Sequence, residues 1–514
     1  MHGIRLFFLG LTAITAATAA DARRPNILFL FSDDQSYKTV SCYPEALPGV
    51  HTPNIDALAA QGIRFSYAYM GSWCMPSRAS LLTGRHPHGI ESMRMEGQYP
   101  GSAYDPQQCP FWPSVFRQQG YQTAHIGKWH TGIDAGWNRD WDYQIVWNRP
   151  KHPDNSGAYF YDEIVAENGV ERVEPGYSTD KYSEWACDYI RGKHRDPDKP
   201  WYLWLCYGAI HGPTTPADRH KGKHREDPVR IPADIFGPRP GKPDYLNKTQ
   251  AWKKGKDGQI YGGKSGAAVG DGGNRGKTFE DFVHQSNDCV EALDEGIGQV
   301  LAALKESGQL ENTLVVFTAD QGFGMGEHGF RMKLGPWDAT YRSPMVVSMP
   351  GTLPEGKVCP HPVHGVDLVR TFLATAGIDT PWEMHGRDLT PLLQDPESAR
   401  WDPVCFYEHT GQSYGSDVAK VLAETPEKAV HNNVPWYGAL NDGRWKYIRY
   451  LKAGETEELY DLQTDPEELN NLADDPAHAQ ELTRLRKRCE TEWKRTGASF
   501  ADHLPPTRQM QQGQ

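Results

Sequence analysis

The residues best equipped for chemistry follow apolar runs. The run from Asn26 to Phe31 gives way at once to Ser32, Asp33 and Asp34, and the run from Thr313 to Thr318 gives way to Asp320 and Gln321. Trp201 to Tyr207 leads to His211, and, more weakly, Thr123 to Ile126 leads to Lys128 and His130. Carboxylates, an ammonium and imidazoles are the groups that hold cations, hold anions and move protons. Paired acids after a strand also form helix-capping turns, which is the plain alternative for Asp33 and Asp34. A further segment, Cys74-Met75-Pro76-Ser77-Arg78, reads as a loop entering a helix. Pro76 is tolerated in a first turn, and the free backbone N-H groups there attract an anion. A nucleophile at a solvent-facing helix start would meet such an anion directly.

The elements that must position these groups are strands. Continuous apolar runs bounded by polar residues are buried on both faces of a largely parallel sheet. In open α/β sheets ligands bind beyond the carboxyl ends of the strands, so residues far apart in the chain can converge there. Between Thr278 and Gly308, Phe282, Cys289, Leu293, Ile297, Val300, Leu301 and Leu304 fall near helical spacing, and Gly308 can end that helix. Beyond about residue 390 the pattern becomes short aromatic strands. Trp445 to Tyr450 follows an Asn441-Asp442-Gly443 turn, and Glu458 to Leu462 comes next, as in an antiparallel appendage. A helix from about Asp475, with Asp475 as cap and Pro476 in the first turn, closes the chain. No internal repeat or low-complexity tract is present.

The Cys74 segment continues Ala79-Ser80-Leu81-Leu82-Thr83-Gly84-Arg85, and together the twelve residues resemble the sulfatase signature. The resemblance extends from Pro25 to Leu459-Tyr460-Asp461-Leu462 and Asp465-Pro466, dense at the proposed site and sparse elsewhere. It implies an alkaline-phosphatase-like α/β/α sandwich with a smaller C-terminal antiparallel subdomain. It also implies that Cys74 is oxidised to formylglycine by a formylglycine-generating or sulfatase-maturating enzyme; the plain alternative is an ordinary buried cysteine. Asp33, Asp34, Asp320 and Gln321 match the positions from which the family holds calcium beside residue 74, and hard oxygen donors suit that ion. Gln321 is a departure, since many members have Asn or His there, and its amide oxygen sits one methylene further out. Gly127-Lys128-Trp129-His130, His211 and Lys333 resemble the sulfate-contacting and proton-transfer segments. His328, in Gly326-Glu327-His328-Gly329, reads as structural or substrate-facing.

By the same resemblance, a hydroxyl of the hydrated aldehyde attacks sulfur while calcium, Arg78, Lys128 and Lys333 supply positive charge. His211 or Lys333 protonates the departing alcohol and His130 takes the later proton. The alternatives are a phosphonate monoester or phosphodiester hydrolase of the same superfamily, and an inactive sulfatase-like protein that binds anionic glycans.

Length and composition frame this reading. The 514 residues suit one large α/β domain with an appendage, and 38% hydrophobic with 23% charged residues describes a globular chain. The expected organisation is a signal peptide at 1–20, a catalytic domain at 21–390 and a C-terminal subdomain at 391–514. Arg5, the apolar stretch from Leu6 to Ile14 and the small residues Ala17 to Ala20 form the leader pattern. No later apolar run approaches transmembrane length, so the expected location is periplasmic or extracellular. Nine cysteines are scattered without paired spacing, and their odd number leaves at least one outside any pairing.

A net charge of −12 argues against general affinity for nucleic acid. Within it, Asp218 to Lys277 carries fourteen Lys or Arg against seven Asp or Glu in a Gly- and Pro-rich insertion. That insertion is either a solvated, mobile excursion or a loop that overhangs the site and attracts a polyanion. Trp137, Trp141, Trp147, Tyr159 and Tyr161 follow the Lys128 to His130 segment, as sugar-stacking faces or as core. The expected substrate is a sulfated polysaccharide or oligosaccharide.

Overall fold

The computed structural model describes residues 24–512, except 92, 97–100, 105–110, 153, 154, 156, 157, 264–277 and 399. The expected leader at 1–20 and the end of the basic insertion lie outside the described residues. A ten-stranded sheet forms the centre, in the order Lys357–Cys359, Ile63–Phe65, Met345–Ser348, Thr313–Ala319, Asn26–Ser32, Trp201–Cys206, Gln122–Lys128, Tyr143–Trp147, Tyr161–Glu167 and Val170–Tyr177. From Thr313–Ala319 to Tyr143–Trp147 the strands are parallel, and an antiparallel strand flanks that block on each side.

The parallel block is apolar on both faces because both faces are covered. Leu28 and Leu30 pack with Leu203, Val315 and the helix residues Leu293 and Ile297. Ile27, Phe29 and Phe31 point the other way, toward Trp204, Val316, Leu82 and Phe372. Full burial of such a side chain stabilises the fold by about 1.5–3 kcal/mol, so a shift by one residue that reversed the faces would be heavily penalised. The register then sets the rim. Ser32 pairs with Ala319, Phe31 with Cys206, and Cys206 with Gly127, which brings the polar residues after each strand level with one another.

The Phe279–Glu306 helix is capped as its sequence implies: the Thr278 side chain and Asp281 form a capping box, and Gly308 adopts a φ of 69° just past the end. Asp475 caps only the short turn Pro476–His478, and the long helix that follows runs Ala479–Arg495.

Two regions pack more tightly than their sequences suggested. Cys405–His409, Tyr437–Asn441, Trp445–Tyr450 and Glu458–Asp461 form the small antiparallel sheet, with Gly443 at a φ of 91° in its expected turn. Its tyrosines reach into the larger unit: Tyr437 and Tyr407 donate to the carbonyls of Leu334 and Pro336 at 2.8 and 2.9 Å. The described part of the basic insertion is no solvated excursion. Ile235, Ala251 and Trp252 join Phe279, Phe282 and Met325 in one apolar cluster, and buried Lys242 donates to Tyr460 Oη at 2.8 Å. Local composition signalled loops but not the aromatic anchors that fix them. Eight described cysteines are free. Among the described residues no helix is long and apolar enough to cross a membrane.

Candidate functional site

The polar rim closes into one cluster at the carboxyl ends of the parallel strands. Asp33 and Asp34 follow Asn26–Ser32, Asp320 and Gln321 follow Thr313–Ala319, Lys128 ends Gln122–Lys128, and His211 lies beyond Trp201–Cys206. The helix Cys74–Thr83 points its first residue at them. Asp33, Asp34, Cys74 and His211 each offer an atom within 4.8 Å of the others. Asp320 joins them by accepting the Asp34 N-H at 3.0 Å. Asp34 stands at a φ of 56°, and the hydroxyl of Ser36 is the group that caps the following turn, so the acids do not serve as a helix cap.

The cations are shared among the acids. Lys128 Nζ donates to Asp33 Oδ2, and Arg78 Nη2 lies 3.3 Å from both Asp33 and Asp320. Arg78 Nη1 donates to the Lys128 carbonyl at 2.7 Å. The buried Arg78 guanidinium therefore braces the carboxylates. Lys333 Nζ donates to Asp34 at 2.7 and 2.8 Å and lies 3.3 Å from Cys74 Sγ. With 17% of its side chain exposed, against none for Lys128 and Arg78, Lys333 marks the open side of the cluster.

Burial and mutual repulsion shape the charges. Burial, then the Asp33 charge, pushes the Asp320 carboxyl up to about 7. Asp34 is raised chiefly by burial, against the pull of Lys333. Burial would also raise Asp33, yet Lys128, Arg78 and Lys333 hold it below the usual carboxylate range. Three carboxylates and an amide are a hard-oxygen donor set, and Gln321 Oε1 is buried without a hydrogen-bond donor. These residues fit a divalent cation of calcium's type. Gln321 Nε2 faces Asp34 and lies 3.7 Å from Cys74 Sγ, so the amide of this departure from the family pattern does reach the cluster.

Cys74 is 1% exposed, which corrects the expectation of a solvent-facing side chain. Trp73 and Ser72 before it are held by the small sheet: Trp73 Nε1 donates to the Gly411 carbonyl at 3.1 Å, and His409 Nδ1 lies 2.9 Å from Ser72 Oγ. Burial, with Asp33 adding to it, pushes the Cys74 thiol up to about 12. An unmodified Cys74 is therefore a protonated, weak nucleophile.

Both histidines of the cluster are neutral. His130 is held well below its ordinary range by burial and by Lys128, Arg149, Arg78 and Lys333, and its buried Nδ1 has no hydrogen-bond partner. His211 is lowered by burial, then Lys333 and Lys128; it stacks on Tyr159 at 4.1 Å, with Nδ1 2.5 Å from the Gly212 carbonyl. Donation from Nδ1 to that carbonyl leaves Nε2 bare, 3.5 Å from Asp34 Oδ2.

Not every expected residue arrives. His328 lies outside the cluster, where its Nδ1 meets Asp234 at 2.6 Å and its ring packs on Trp337. Trp141, Trp147 and Tyr159 are core residues, whereas Trp137 is 39% exposed. Arg149, which the sequence reading passed over, donates to Tyr159 Oη at 2.7 Å and bears on both histidines. Its position just after the Tyr143–Trp147 strand was the available signal. His431, from the region of the small sheet, packs 4.9 Å from Trp73 and is lowered to about 4 by burial and Lys333. No local pattern announced it.

The chain matches the family model described as Sulfatase over residues 25–378, and that of the C-terminal part of N-sulphoglucosamine sulphohydrolase over 326–495. It is 28% identical to an N-acetylglucosamine-6-O-sulfatase of Bacteroides thetaiotaomicron, across 95% of this chain and 90% of that protein. It is 25% identical to the N-acetylglucosamine-6-sulfatase of Homo sapiens, across 88% and 82%. A solved protein in complex with its substrate D-glucosamine-2-N,6-O-disulfate superposes with a TM-score of 0.77 at 26% identity, covering 94% of this chain and 100% of that one.

Proposed function

Because the chain belongs to the sulfatase family and is a sulfuric ester hydrolase, we propose that it removes sulfate from a saccharide, using residue 74 as formylglycine beside a bound calcium ion. The observation that supports the site assignment is the gathering of Asp33, Asp34, Asp320, Gln321, Lys128, Lys333 and His211 around Cys74. When present, the formylglycine hydrate supplies the attacking oxygen, and the cation held by Asp33, Asp34, Asp320 and Gln321 supplies positive charge to the sulfate.

The remaining roles fall to this chain's own side chains. Lys128 and Lys333 bind sulfate oxygens from two sides, and Arg78 keeps Asp33 and Asp320 in place. Lys333 Nζ carries the proton for the departing alcohol, since it is charged and stands on the open side. His211 with Nδ1 on the Gly212 carbonyl has no proton at Nε2 to give, and is a positioning residue. His130 is neutral, and its unpaired Nδ1 accepts the proton released at residue 74.

The saccharide reading rests on the relatives named for N-acetylglucosamine sulfate and on the exposed Lys253, Lys254 and Lys256 of the insertion. The hairpin of Trp252–Lys254 and Ile260–Gly262 lies beside the segment that carries Lys333, with Trp252 Nε1 donating to the Phe330 carbonyl at 2.9 Å. The leader pattern supports export, and on this reading a formylglycine-generating or sulfatase-maturating enzyme converts Cys74.

The test sets matured protein against 6-sulfated N-acetylglucosamine, sulfated oligosaccharides, an aryl sulfate and a phosphonate monoester in parallel. The expected result is a kcat/KM for a sulfated saccharide above that for the aryl ester. It should fall several-fold, through KM and less so at high salt, when the three lysines become Gln. Turnover confined to the aryl or phosphonate ester overturns the saccharide assignment, and full activity without conversion of Cys74 overturns the mechanism.

A further inference from the structure

A second cleft opens behind the His130 loop, where Tyr143–Trp147 meets Tyr161–Glu167 at the edge of the parallel block. It has a volume of about 220 Å³ and is lined by Ile133, Trp137, Gln144, Asn148, Ile164 and Gly169 among others. Trp137 and Ile133 are 39% and 57% exposed at this cleft. Gly169, at a φ of 85°, lets the backbone approach the indole, for a Cβ there would come within 3.3 Å of Trp137 Cδ1.

Beneath this apolar rim are two buried acceptors without donors. Gln144 and Asn148 are 3% and 5% exposed, and the side-chain amide oxygen of each has no hydrogen-bond partner. Asn148 Nδ2 donates to the carbonyls of Gly132 and Ile133 at 3.1 and 3.0 Å, which fixes the amide and leaves Oδ1 as the acceptor. The basic side chains on the cleft wall are already paired, since Lys151 and His152 both meet Glu171, at 2.6 and 3.1 Å. With Lys151 taken up by Glu171, the unpaired amide oxygens of the two residues that line the cleft favour a ligand with hydroxyl donors over an anion or a wholly apolar ligand. A sugar ring offers an apolar face to the indole and hydroxyl donors to the acceptors.

The cleft is linked to the catalytic cluster through the loop that follows His130. Trp129 N donates to the Trp147 carbonyl at 3.0 Å, Asn148 holds the Gly132 and Ile133 carbonyls two and three positions after His130, and Arg149 beside it donates to the Tyr159 that stacks on His211. We propose that this cleft is a saccharide subsite that holds an unsulfated ring of the same chain whose sulfate ester is cleaved. The proposal rests on the saccharide reading above and adds a place for a sugar away from the reacting centre.

The experiment compares the free monosaccharide, 6-sulfated N-acetylglucosamine, with a tetrasaccharide that carries the same sulfated sugar at its end. Trp137→Ala should lower kcat/KM for the tetrasaccharide by about three- to tenfold, the worth of one aromatic face, and leave the monosaccharide unchanged. Trp137→Phe should restore most of the loss. Equal values for both variants on the tetrasaccharide, or parallel losses on both substrates, overturn the subsite. Should the parent protein hydrolyse neither saccharide, the substrate reading fails by itself. The cleft is then judged by titrating Cys74→Ala protein with unsulfated chitotetraose: binding that Trp137→Ala abolishes supports it, and the absence of binding overturns it.

Discussion

Two buried clusters of charge in this chain use the same residue types to different ends. Around Cys74, three carboxylates meet Arg78, Lys128 and Lys333; where the small sheet docks, Asp338 and Glu468 meet Lys446 and Arg342. Each contains one carboxyl pushed up to about 7 by burial, Asp320 in the first and Glu468 in the second, so a displaced titration does not tell them apart. What differs is how each cluster is closed. In the docking cluster Tyr69 Oη donates to Asp338 at 2.7 Å, Asp338 N donates to Glu468 at 2.6 Å, and the Lys446 side chain is fully buried. Each cluster also keeps a buried atom without a hydrogen-bond partner, Gln321 Oε1 and His130 Nδ1 in the first and Arg342 Nε in the second, but in the first Lys333 reaches solvent. Function is legible in the cation that faces solvent more than in the perturbed charge or the unpaired atoms, which both clusters share.

Paired substitutions separate the two roles with the largest effect. Asp320→Asn should lower turnover by more than about a hundredfold, beyond the cost of losing a ligand's supporting partner, while the melting temperature in chelator stays level or rises. Lys446→Met should do the reverse, since breaking a buried ion pair costs about 3–5 kcal/mol and the residual folded protein should keep its kcat. Urea titration and initial rates on the same preparations measure both; a large stability loss in Asp320→Asn would erase the distinction.

Cation removal sharpens the contrast at a smaller scale. Exhaustive chelation should abolish activity and lower the stability of the parent protein by about 2.7 kcal/mol relative to calcium at a hundredfold excess over Kd. Calcium should restore both, and Asp320→Asn should show a much weaker stability response. A parent protein whose melting point ignores chelator would remove the cation from the Cys74 cluster.

The smallest effect is acid sensitivity. Lys446 and Arg342 hold the Asp338 carboxyl below its usual range against the effect of burial. A carboxyl depressed by folding contributes stability above its unfolded value of about 3.9, and that contribution is lost as pH falls through the lower folded value. The stability gap between the parent and Lys446→Met should therefore narrow below about pH 4. A gap that stays constant to the acid limit of folding would place the Lys446 contribution elsewhere.

Much of the site was legible because its signals are local. An apolar run followed at once by acids, as at Phe31 to Asp34 and Phe317 to Gln321, needs only that the run be a strand. The Cys74 segment likewise carries its helix start in its own spacing. What stayed hidden depends on distant partners. His328 bears a familiar setting, yet Asp234 in the insertion claims its ring. Arg149 becomes part of the site only because Trp147 lies in register with Lys128. The burial of Cys74 could not be read from residues 74–85, since its neighbours Asp33, Gln321 and Lys333 come from distant segments and the preceding Ser72 and Trp73 are held by His409 and Gly411.

That cover has a consequence for timing. Ser72 and His409 are 337 positions apart. At roughly 5–20 residues per second of synthesis, the Cys74 thiol leaves the ribosome about 17 to 67 s before the strand that holds the neighbouring Ser72 exists. The conversion proposed for Cys74 has that interval, together with any delay before the small sheet docks, in which an enzyme can reach an extended and accessible cysteine. Once Ser72, Trp73 and the Leu334 loop are fastened, the opportunity closes, and chain that has folded unmodified is committed to remaining so until it unfolds.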